Sequence, residues 1–220
     1  MGTPEFAVLP LKKLVDNGYH VVAVVTMPDK QSGRGMHVQY SPVKQYAINN
    51  GLTVLQPENL KDEAFIEELR SYQADLQIVV AFRMLPEVVW NMPPMGTFNL
   101  HASLLPQYRG AAPINWAVIN GEKETGVTTF FLQHKIDTGN IILQEKIDIQ
   151  ESDNVEIVYN KLMQVGSDLV LKTLDLIGTG KYELKTQASL CEDESLLRTA
   201  PKIFKETCQI NWNKDVTSIY

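Results

Sequence analysis

Cysteine is scarce in this chain. Cys191 and Cys208 are the two among 220 residues, without metal-ligand spacing and without a nearby histidine. That pattern argues against a disulfide-stapled domain and against a zinc site, and it leaves two reduced thiols incidental to function. Long apolar runs are missing as well: none approaches the roughly eighteen residues needed to cross a bilayer. The N-terminus lacks a basic stretch followed by a signal-type apolar segment, so the expectation is a cytoplasmic protein with no membrane partner. Basic charge is also limited. With 20 Lys and Arg against 26 Asp and Glu, the net charge is −6, which argues against a broad nucleic-acid surface while leaving room for a local basic finger. The acidic residues are spread, with no tail, repeat or low-complexity tract.

What is present is an ordinary core's worth of apolar residues, 44% of the chain, arranged in an alternation of helix and strand signals. Thr3-Pro4-Glu5 reads as a helix start, with a hydroxyl cap and proline at the first helical position; Asn17-Gly18 is its stop. Residues 19–26 are a β-branched run suited to a strand buried on both faces. Strands are also expected at 53–55, 76–81 and 96–101, with helices at 42–50, 62–71, 86–91 and 112–120. This rhythm predicts an α/β domain with a Rossmann-like, mostly parallel sheet and helices on both faces. Beyond Gly121 the strands at 127–132 and 141–149 are separated by a turn-rich segment, which predicts an antiparallel edge hairpin. A long helix over 154–177 ends at Gly178-Thr179-Gly180. Residues 1–180 thus form the domain, and 181–220, with a short strand candidate at 182–186, read as a linker and the start of a truncated next domain. A doubly wound domain usually opens on a strand, yet here the first residues already form the turn, so a first strand is expected to be missing.

Asn99 and His101 stand two apart at the end of an apolar run, and on a strand their side chains leave the same face. That end is where open parallel sheets bind ligands. Asp137, in the turn of the edge hairpin, can fold back over it. An amide, an imidazole and a carboxylate in one cleft can stabilise an oxyanion and move a proton, as transfer of an acyl-type group to an amine requires. An imidazole beside a carboxylate favours its charged, donating form. Taken singly, a strand-end Asn or His more often satisfies loop backbone than performs catalysis. No Ser or Cys stands beside a base as an obvious nucleophile, and the chemistry needs neither a metal nor a covalent intermediate. His20 and His134 read as structural or solvated, and Trp90 and Trp116 as core.

Several segments together carry a further message. Asn99-Leu100-His101-Ala102-Ser103-Leu104-Leu105-Pro106, Tyr108-Arg109-Gly110-Ala111-Ala112-Pro113-Ile114 and Asp137-Thr138-Gly139 resemble the signature of the folate-dependent formyltransferases. So do Met1-Gly2-Thr3-Pro4-Glu5-Phe6-Ala7, Pro28-Asp29, Ser32-Gly33-Arg34-Gly35 and Ser41-Pro42-Val43-Lys44, in the right order along nearly the whole chain. The resemblance implies transfer of the formyl group of 10-formyltetrahydrofolate, as cosubstrate, to the α-amino group of methionine carried on initiator tRNA. It implies catalytic roles for Asn99, His101 and Asp137, and folate contacts from Phe82, Arg83, Met84 and Leu85 and from Ser103, Leu104, Leu105 and Pro106. It implies a tRNA contact from Arg34 in the loop 29–40, no metal, a monomer, and an OB-type barrel as the next domain. Where the family often places lysines after Gly-Arg-Gly, this chain has Met36-His37. Three alternatives stay open at this point: a small amine acceptor such as an amino sugar nucleotide or glycinamide ribonucleotide, hydrolysis of formylfolate, and a noncatalytic nucleic-acid-binding module.

Overall fold

The structure is a computed structural model that describes residues 1–32, 37–191 and 193–219. A short 3-10 turn, Glu5–Ala7, leads into α1 (Val8–Asp16). Then come β1 (Val24–Val25), β2 (Lys30–Ser32), β3 (His37–Gln39), α2 (Pro42–Asn49), β4 (Val54–Leu55), α3 (Glu63–Ser71), β5 (Gln77–Val80), α4 (Glu87–Trp90) and β6 (Thr97–His101). The chain continues through β7 (Arg109–Gly110), α5 (Pro113–Ile119), β8 (Glu124–Phe131), β9 (Ile141–Asp148), α6 (Val155–Thr179), β10 (Thr199–Ala200) and α7 (Val216–Ile219).

β5 pairs with β6 in parallel, and β8 and β9 extend the sheet antiparallel, so the edge hairpin forms as its turn-rich centre predicts. On the other side, β1 and β4 pair in parallel. Met1 and Gly2 join the two halves: Gly2 N–H donates to Val25 O at 3.0 Å and Val80 N–H to Met1 O at 2.9 Å. Among the described residues β1 thus reaches β5 through Met1 and Gly2, by the Gly2–Val80 bridge and the Met1 amino group's bond to Ile78 O at 2.6 Å. Beyond it the flanking backbones diverge around a cavity of about 570 Å3 lined by Val21 to Val25 and Leu76 to Ile78. The long strand expected over 19–26 is therefore paired only at Val24–Val25, because a pleated ribbon needs a partner on each side to stay regular.

Strand side chains alternate between two helical layers. Val24, Val80, Phe98, Leu100 and Val127 pack under α1, α2, α5 and α6. Val25, Leu55 and Val79 face α3 and α4 through Phe65, Leu69 and Val89. Three helix starts are capped by side chains: Ser41, Asp62 and Asn154 accept from backbone N–H groups in their first turns. Thr3 does not. Pro4 is extended and serves as the N-cap, which leaves the Thr3 hydroxyl beyond reach of the first turn, buried and unpaired. The described residues of 185–200, read as part of a linker, include several hydrogen-bonded to the domain. Lys185 exchanges backbone hydrogen bonds with Ile141 at 2.8 and 3.0 Å, and β10 pairs with β7 in parallel. Among the described residues no helix is long and apolar enough to cross a membrane.

Candidate active site

Asn99 and His101 lie on β6, whose inner residues Phe98 and Leu100 are locked in the core. The alternation that buries those two sends Asn99 and His101 to the other face, and both line a cleft of about 820 Å3 at the strand end. Asp137 lines it from the β8–β9 turn, so the structure brings all three together. The Asn99 side chain has no hydrogen-bond partner among the described residues and is free to donate into the cleft.

One three-residue segment organises the other two. His101 Nε2 lies 2.9 Å from Tyr108 O, and a carbonyl can only accept, so Nε2 carries a proton and Nδ1 is the uncommitted nitrogen. Two residues on, Gly110 N–H donates to Asp137 Oδ2 at 3.1 Å. Imidazole and carboxylate are thus tethered to the same short segment, Tyr108 to Gly110, the first at the residue before β7 and the second within β7. Tyr108 and Asp137 both adopt left-handed backbone, with φ of 59° and 52°, conformations that side chains resist and that persist only where surroundings enforce them. For Tyr108 the enforcement is visible: its phenol donates to Glu122 and accepts from Asn120 Nδ2 at 3.0 Å and Arg198 Nη1 at 3.2 Å.

The residues expected to touch folate divide into two groups. Phe82, Arg83, Met84 and Leu85 line the cleft beyond Ala81, whose φ of 46° turns the chain sharply off β5. The Arg83 guanidinium is committed to the backbone carbonyls of Glu58 (2.8 Å) and Pro57, its Nε is buried without a partner, and Met84 is exposed. A larger, shallower hollow of about 1180 Å3 lies behind Arg83 and includes none of Asn99, His101 and Asp137. Ser103, Leu104, Leu105 and Pro106 are not in the lining of the main cleft. Ser103 donates to Gln107 O at 2.6 Å, Leu105 N–H to Thr128 Oγ1 at 3.1 Å, and Leu105 packs with Phe130 and Ile141, bracing the strand end from behind. Arg34 lies outside the described residues. His134 sits on the rim, 3.5 Å from Glu87 and edge-on to Trp90.

Spacing did not reveal Tyr108, Gly110 or Gln187. Gln187 is buried under the Asp137 turn and donates to Asp137 O at 2.8 Å and Gly139 O at 3.0 Å. No periodicity marks it, since it belongs to a 3-10 turn in a polar stretch.

An amide, an imidazole and a carboxylate at the strand ends of an open α/β sheet are groups that the transferases of acyl-type groups to amines can use. The chain belongs to the formyl transferase family, whose model matches residues 1–174. Over all 220 residues it is 64% identical to the methionyl-tRNA formyltransferase of Bacteroides fragilis, spanning 68% of that protein. Against the methionyl-tRNA formyltransferase of Phocaeicola vulgatus the identity is 69%, again over the whole chain and 68% of the relative. Among solved structures, a sugar 3N-formyl transferase, WlaRD, crystallised with dTDP and 5-N-formyl-THF, superposes with a TM-score of 0.71 at 20% identity, over 99% of this chain and 74% of that one. An N-formyltransferase from Helicobacter canadensis, in complex with folinic acid and dTDP-3-aminofucose, gives 0.69 at 24% identity, over 99% and 76%. At those identities the likeness speaks to the fold.

Proposed function

We propose that this chain transfers the formyl group of 10-formyltetrahydrofolate to the α-amino group of methionyl-tRNA, the initiator species of translation. The acceptor rests on the relatives' high identity along the full chain. The chemistry rests on one observation above all: His101 and Asp137 are hydrogen-bonded to the same segment, at Tyr108 O and Gly110 N. The cleft suits a flat folate, with Phe82 and Leu85 as apolar cover and a volume within the usual range for small-molecule sites.

Bound folate supplies an electrophilic formyl carbon on nitrogen. As the amine adds, negative charge gathers on the formyl oxygen, where Asn99 Nδ2–H donates to it and the His101 ring, lining the same cleft, stabilises it. Asp137 Oδ1 takes the proton that the amine must lose and returns it, directly or through water, to the folate nitrogen as the bond from that nitrogen to the formyl carbon breaks and the formyl C=O re-forms on the amine. His101 Nε2 stays tied to Tyr108, so the ring does not turn during the reaction. For Arg34, which falls between β2 and β3 in the sequence and outside the described residues, the proposal is a tRNA contact, supported by the resemblance of Ser32-Gly33-Arg34-Gly35 to the family signature.

The test is single-turnover formylation with methionyl-tRNA, an amino sugar nucleotide and glycinamide ribonucleotide as acceptors, and with no acceptor. Asn99→Ala is expected to slow the chemical step by about 10²-fold and Asp137→Ala by about 10²-fold or more, with folate binding retained by equilibrium titration. Either variant keeping wild-type rates removes that residue from the mechanism. Preference for a small amine, or folate release without acceptor, reassigns the substrate.

A further inference from the structure

We infer that Gln187 is a positioning residue for Asp137, and that the strap formed by residues 185–200 is part of the catalytic apparatus although it lies beyond the stretch matched by the family model. The inference rests on the role proposed above for Asp137.

The geometry is that of a two-sided clamp. The Gln187 amide nitrogen holds both carbonyls that flank Thr138, at Asp137 and Gly139, while its oxygen accepts from Arg109 Nε at 2.9 Å and Nη2 at 2.7 Å. One side chain, 3% exposed, therefore joins the turn that carries Asp137 to the strand whose next residue, Gly110, binds the Asp137 carboxylate. Every polar atom of the amide group is engaged, so the clamp has a single orientation. Gly110 has φ of +129°, and a Cβ there would lie 2.4 Å from Ala200 O, so strap and β7 are in backbone contact on the far side as well. Tyr108 N–H donates to Arg198 O at 2.7 Å and Ala112 N–H to Ala200 O at 3.1 Å. The strap thus closes around the segment that holds both His101 and Asp137.

Two variants separate the arms of the clamp. Gln187→Leu removes both. Gln187→Glu keeps an acceptor for Arg109 but presents no donor to Asp137 O or Gly139 O. Because small misplacements of a reacting group are costly, each is expected to lower kcat by about tenfold or more while KM for the folate stays near that of the parent chain. If Gln187 acts through Asp137, Gln187→Glu combined with Asp137→Ala is no slower than Asp137→Ala alone. Additive losses, or an unchanged kcat in Gln187→Glu, overturn the inference. Hydrogen exchange reads the clamp without any turnover: in Gln187→Glu the peptide covering 133–140 is expected to exchange faster, with α6 unchanged, and equal rates in that peptide also overturn it. An Asp137→Ala chain that retains full activity, with loosened exchange in Gln187→Glu, instead sinks the catalytic reading and leaves a structural clamp.

Discussion

The Tyr108 phenol shows how a residue outside the cleft lining fixes groups that line it. Its backbone sits in a conformation that a side chain resists, and its carbonyl must face His101 for the imidazole to hold one orientation. The ring, 5% exposed, is held by Glu122, Asn120 and Arg198, three groups from beyond the site. Tyr108→Phe deletes the shared oxygen and leaves those partners without their buried member, so a stability loss of about 1–3 kcal/mol is expected from the urea midpoint. An unchanged midpoint would deny the anchor. At this scale legibility in the sequence followed the reach of local geometry. Asn99 and His101 were legible because alternation along a strand is a local rule. The loop from Ser103 to Pro106 was legible as stiff but not as turned inward: its Ser103 and Leu105 spend their polar groups on Gln107 and Thr128, a pairing set by tertiary register. Gln187 was invisible because its partners lie 48 to 78 residues away.

Among the elements, α6 was legible over nearly its whole length and β1 only in part, for opposite reasons. The helix carries its own signals: Asn154 accepts from Ile157 N–H at its start, and Gly180, with φ of 66°, ends it. Its inner face buries Val158, Leu162, Leu169 and Val170 against the sheet. A strand has no such autonomy. Residues 19–26 have a strand's composition, but where neither neighbour comes within pairing distance the β-branched run stays irregular. The same contrast fixes where a mutation acts. Leu162 is fully buried in the layer between α6 and the sheet, away from the cleft lining, so Leu162→Ala is expected to cost about 2–5 kcal/mol of stability. Folate affinity, measured by titration well below the new melting midpoint, should be unchanged. A weakened affinity at full folding would show that α6 packing reaches the cleft.

For the molecule as a whole, acid is the condition that discriminates among its tethers. Lys13 on α1 pairs with Asp168 on α6, Lys161 with Asp153 at the start of α6, and Lys44 with Asp29 beneath the β2–β3 hairpin. In each case the hydrogen bond from the lysine holds the aspartate below the ordinary carboxylate value. A group whose folded value is depressed contributes stability above its unfolded value and loses it as pH falls through the folded one. These three therefore stabilise the fold fully above about pH 4 and release it progressively in more acid solution. The exposed Asp168 pair is screened by solvent and is the weaker tether; the Asp153 side chain, 7% exposed, is the stronger. Acid also drives the net charge from −6 at neutrality toward positive values, and self-repulsion would lower the melting temperature over the same range. The two causes separate in the variant Asp153→Asn with Asp168→Asn. If paired carboxylates dominate, its melting temperature is lower than that of the parent at pH 6 and the two curves converge near pH 2 to 3, giving a flatter slope. If general repulsion dominates, the neutral side chains leave the slope below pH 4 as steep as before, and the lysine pairs are then surface contacts with little hold on the fold.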